Sequence, residues 1–144
     1  MSTQKALKKL LRVQTHELDV RKALVGRLNA RLEALREEDA NWAASLMDEK
    51  KALESDPQWG VAYLRYAQLV EKKRKQLDGL MGQVEDALNR ERDLLRGEYA
   101  QVRATEKYLT LQSVREEKNA EKELQALLDD RFAGKMGKKG LEEL

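Results

Sequence analysis

Leu11, Leu18, Val25, Leu32, Leu46 and Leu53 fall on one series spaced by seven, broken only where Asp39 takes a turn. Apolar residues at that spacing share one stripe of a helix, and the stripe can leave water only against a second helix. Three residues further on stand Gln14, Arg21, Leu28, Leu35, Trp42 and Glu49, so the companion row is half polar. The pattern predicts a first helix from about residue 4 to about 54.

The single proline sits in Ser55-Asp56-Pro57, an N-cap acceptor followed by a residue whose fixed φ suits the first helical position. A turn at about 55–57 is expected there, with one helix ending and another beginning. Beyond it Met81, Leu88, Leu95, Val102 and Leu109 repeat by seven, and Val70, Leu77 and Val84 supply the other half of the stripe. The second helix is expected from about 57 to about 133, followed by a flexible tail over 134–144 in which Gly134, Gly137 and Gly140 alternate with lysines. Two helices with matching seams and so short a connection meet as antiparallel neighbours. The expected fold is therefore all-α: one antiparallel coiled-coil hairpin over 1–144, its second helix longer than its first.

Composition narrows the functional classes. There is no cysteine, which removes disulfides, thiolate nucleophiles and Cys-bound metals. The net charge is +2, too small for a general attraction to nucleic acid or anionic membrane. The longest apolar run, Val61–Leu64, holds four residues, so neither a membrane span nor a signal sequence is expected. His16 is the only histidine, and it lies between Thr15 and Glu17 without a glycine-rich elbow. Walker, GxGxxG and HExxH motifs are missing, and pairs such as Glu37-Glu38 or Asp129-Asp130 suit a solvated helix face. No catalytic, cofactor-binding or metal-binding residue is assigned. The Lys72-Lys73-Arg74-Lys75 run spreads around one helical turn and reads as solvated surface.

Three features point to partners. With the turn centred near 56, the end of the second helix outruns the first, yet it carries Leu124, Leu127, Leu128 and Phe132 at helical spacing. Trp42, Trp59, Tyr63 and Tyr66, four of the seven aromatic residues, gather around the turn, where they read equally as interface anchors or as a plug for the hairpin tip. Lys5, Lys8, Lys9 and Arg12 precede the first acid, Glu17, and Arg131, Lys135, Lys138 and Lys139 form a second basic cluster. Cations near a helix N-terminus oppose the dipole, so an anionic partner explains the first cluster better than local electrostatics does. Gly79 and Gly82 inside the second helix read as a bendable segment or as tolerated drift, and Arg21, Asp39, Arg74 and Glu91 interrupt the seam where they would fix register.

The chain resembles the FliJ family of flagellar type III export components and its virulence-system relative YscO. The resemblance lies in Ala6-Leu7-Lys8-Lys9-Leu10-Leu11-Arg12-Val13, in Tyr63-Leu64-Arg65-Tyr66-Ala67-Gln68-Leu69-Val70 after the turn, and in Glu121-Lys122-Glu123-Leu124 to Phe132. It implies a non-catalytic rod similar to the central stalk of a rotary ATPase. Its open end would enter the pore of the hexameric export ATPase FliI through Leu7, Lys8, Leu11, Arg12, Leu124, Leu127, Leu128 and Phe132. Its tip would bind the cytoplasmic domain of the gate protein FlhA through Trp59, Tyr63, Tyr66 and Val70. FliH and export chaperones are further implied partners, with a cytoplasmic location peripheral to the inner face of the membrane. A generic helical scaffold or chaperone, or a virulence-system stalk, is the alternative; a nucleic-acid-binding hairpin ranks below both.

Overall fold

A computed structural model describes residues 2–142, with side chains for residues 3–135. Helix α1 spans Ser2–Ser55 and helix α2 spans Gly60–Glu142, joined by a 3-10 turn over Pro57–Trp59. The described residues contain no strand.

The junction follows from three adjacent residues. Proline crowds the residue before it out of the helical region, and Asp56 is extended at φ −143°, ψ 97°. Its N–H closes the last turn of α1 by donating to the Ala52 carbonyl at 3.0 Å. Its carboxylate then accepts from the Gln58 N–H at 3.2 Å, capping a turn that begins on Pro57. Gly60 is already helical at φ −56°, ψ −44°, so α2 starts there rather than at 57. At the far end α2 continues through the glycine-lysine segment to Glu142, where a tail from 134 was expected. Glycine weakens a helix without breaking it, and no proline intervenes.

Contacts divide the chain into two compact units. The first unit, His16–Tyr99, contains the turn. Within it Arg21, Arg36, Asp39 and Ser45 of α1 bond Glu91, Glu85, Arg74 and Tyr66 of α2, so the two segments lie side by side in opposite directions. Leu18, Leu32, Leu35, Val70, Leu77 and Leu88 form its buried core, and Leu35 and Val70 are fully enclosed. Along α1 the covered residues alternate by three and four from Leu18 to Leu46 without a break, the geometry of a coiled-coil seam.

The second unit joins residues 1–15 to residues 100–144. Among its described residues Val102 and Thr105 are buried, the latter with its hydroxyl 2.6 Å from Gln14 Oε1 and 3.0 Å from the Gln101 carbonyl. Gln4, Leu7, Leu11 and Gln14 continue the seam on α1, and Leu109, Gln112 and Glu116 continue it on α2, all half-buried. From residue 117 to 135 every side chain is exposed.

Candidate functional site

The interruptions of the apolar seam are its most specific feature. Arg21 donates from Nε to Glu98 Oε1 at 2.5 Å and from Nη1 to Glu91, while Arg74 grips Asp39 through both carboxylate oxygens. The four residues read from the sequence as seam breaks are thus partners of one another, and the midpoints of the two pairs, 56 and 56.5, fall at the turn. Hydrogen bonding to Glu98, then to Glu91, holds the Arg21 guanidinium still more firmly protonated than usual. The Arg74 hydrogen bond holds the Asp39 carboxyl below the ordinary carboxylate range. These groups serve pairing. Among the described residues no cluster of His, Asp and Glu could hold a metal ion, and no helix is long and apolar enough to cross a membrane.

The surfaces available to partners are apolar. In the second unit Leu124, Leu127, Leu128 and Phe132 are 56 to 66% exposed. Extending the three-four alternation past Glu116 puts Asn119, Glu123, Ala126, Asp130 and Ala133 in the seam. Leu124, Leu128 and Phe132 therefore lie on positions turned away from the seam and Leu127 on its flank, none of them on its uncovered continuation. Leu128 and Phe132, with Arg131, Gly134 and Lys135, line a shallow groove of about 630 Å³. Lys8 and Arg12 are exposed, and Lys8 borders a groove with Gln4, Leu109, Ser113, Val114 and Glu117. Leu7 and Leu11, expected to face a partner, instead occupy half-buried seam positions. Of the second basic cluster, Arg131 and Lys135 are exposed, and the side chains of Lys138 and Lys139 lie outside the described residues.

Around the turn, in the first unit, Trp59 is 60% exposed and Tyr63 and Tyr66 are half-buried. The Tyr66 hydroxyl is hydrogen-bonded to Ser45, which fixes the ring. Glu49, Ala52, Trp59, Ala62, Tyr63 and Tyr66 line one pocket. Val70, grouped with these aromatics on resemblance, is fully buried and has no surface to offer. It packs the core because its position falls in the seam, one heptad before Leu77. Val61 and Leu64, 68 and 61% exposed, were not singled out as contact residues; the signal was their place in the longest apolar run. Glu49 was also missed, because an acid on a helix looks like solvated surface until the opposing aromatic rings are placed beside it.

No protein-family model, curated protein or solved structure matches the chain.

Proposed function

We propose that this chain is a non-catalytic component of a flagellar type III protein export apparatus, acting as a central stalk for the hexameric export ATPase FliI. The observation that carries the reading is the bare end of α2, where Leu124, Leu127, Leu128 and Phe132 are exposed outside the seam positions. So much apolar surface on one helical stripe is unfavourable in water and asks for a protein partner. Exposed Lys8, Arg12, Arg131 and Lys135 belong to the same unit and suit an acidic ring lining. On this reading the aromatic tip meets the cytoplasmic domain of the gate protein FlhA, and FliH and export chaperones are further partners. The chain then works in the cytoplasm, peripheral to the inner face of the membrane, and alters another protein's turnover without any chemistry of its own.

The test is ATP hydrolysis by the export ATPase with and without the chain, alongside negative-stain images of ring formation. Stimulation with more rings supports the stalk. Lys8→Glu with Arg12→Glu should reduce stimulation and spare gate binding; Leu11 is a poor choice for substitution because it is half-buried in the seam. The absence of any effect at saturating concentration sinks the stalk reading. The same exposed stripe also suits self-association or a helical scaffold role, which sedimentation of wild type against Leu124→Ser with Leu128→Ser would reveal as dimer against monomer.

A further inference from the structure

The pocket beside the turn has a volume of about 390 Å³ and lies wholly within the first unit. Its lining combines three aromatic rings and one carboxylate, and none of its lining residues is basic. Ala52 and Ala62 keep it open where larger side chains would fill it.

Glu49 is the anomaly. It stands at a seam position of α1, seven residues after Trp42. In this unit the other charged seam residues are matched across the helices: Arg21 with Glu91 and Glu98, and Asp39 with Arg74. Glu49 alone among them has neither a hydrogen bond nor an ion pair among the described residues. Its own helix offers no help, since the residues three and four away are Ser45, Leu46, Ala52 and Leu53. A carboxylate and three aromatic rings lining one pocket gather two sources of negative potential, an arrangement a cation relieves by touching both. Elsewhere in the unit the chain supplies such a cation itself, with Lys22 Nζ 4.9 Å from the centre of the Tyr99 ring. Among the described residues no cation stands over Trp59, Tyr63 or Tyr66.

We infer that this pocket receives an arginine side chain from a partner protein. A planar guanidinium stacks on a ring and forks onto a carboxylate at once, which an ammonium does less well. The inference deepens the reading of the tip as a partner surface and names what that surface recognises.

The test uses the full chain and two peptides, N-acetyl-Ala-Arg-Ala-amide and its citrulline counterpart, which keeps the shape and removes the charge. The Trp59 indole N–H resonance, distinguished from that of Trp42 with a Trp42→Phe variant, reports binding. The arginine peptide should shift it saturably, with the citrulline peptide about threefold weaker or more. Glu49→Gln should erase the difference; the substitution falls on an exposed residue, and the peptide comparison on wild type needs no variant at all. Equal affinity for the two peptides, no saturable shift, or an arginine preference that survives Glu49→Gln overturns the inference. Titration with the gate domain separates the two readings. A shift with the gate domain but not with the arginine peptide removes the arginine pocket and keeps the tip interface; the reverse result does the opposite.

Discussion

Arg74 holds Asp39 through two hydrogen bonds, Nε to Oδ1 at 2.9 Å and Nη2 to Oδ2 at 3.3 Å. Both residues occupy places where the heptad pattern calls for an apolar side chain, so the pair acts as a register pin. Sliding one helix by a heptad would set Asp39 against Met81 or Ala67 and Arg74 against Leu46 or Leu32, at a desolvation cost with no partner in return.

Reversing one member should therefore destabilise the hairpin by roughly 1 kcal/mol, and reversing both should restore most of it. Urea denaturation of Asp39→Arg, Arg74→Asp and the double variant, followed by circular dichroism, measures the coupling. Additive losses would show that the pair contributes nothing to pairing.

The same pair sets a pH dependence. Because Arg74 lowers the folded-state pKa of Asp39, the carboxylate's contribution is complete above the unfolded value of about 3.9 and is lost as pH falls through the lower folded value. The stability gap between wild type and Asp39→Asn should stay level from neutral pH down to about 4 and close below that. A gap that widens on acidification contradicts the assignment.

Leu35 is 2% exposed and Leu124 is 59% exposed, although both are leucines at helical spacing. Leu35→Ala should cost about 2 to 3 kcal/mol by leaving a cavity, and Leu124→Ala less than about 0.5 kcal/mol. Thermal melts of the free protein give the stability ranking. If the chain is the proposed stalk, ATPase stimulation should follow the opposite order, with Leu35→Ala assayed where it remains folded.

Gly79 and Gly82 have helical neighbours on both sides, and a Cβ built on either meets nothing within 4 Å. With no clash and no positive φ to relieve, alanine at each site should stabilise the chain by up to about 1 kcal/mol. Under the proposed export role, a higher melt of Gly79→Ala with Gly82→Ala and a fall in export would make a bend at this point functional; a higher melt with unchanged export marks the glycines as drift.

The two units should open unequally. Among the described residues six buried apolar side chains hold the unit containing the turn, against Val102 in the other. Amides around Leu32 and Leu88 should exchange with solvent more slowly than those around Leu7 and Leu109, by hydrogen-exchange mass spectrometry.

Much of the fold was legible because coiled-coil order is written locally. Period seven marks each stripe residue by residue, and Asp56-Pro57 carries its own backbone instructions. The all-α class and the position of the turn follow from those alone. The polar breaks Arg21, Asp39, Arg74 and Glu91 could also be found by eye. Less of the candidate site was legible. Val70, Leu7 and Leu11 look like contact residues in a list of apolar positions, as Leu124 and Phe132 do, since hydrophobicity does not say which residues have already been covered.

Spacing along one chain dictates the set of helices, the turn between them and the stripe each would bury. Tertiary contacts alone settle which charges neutralise each other, that Val70 is sealed while Trp59 is open, and that Glu49 shares a pocket with aromatic rings and with no basic residue. Those outcomes depend on which residue of α2 arrives opposite each residue of α1. Burial and pairing are properties of two segments brought together, and no period within either one contains them.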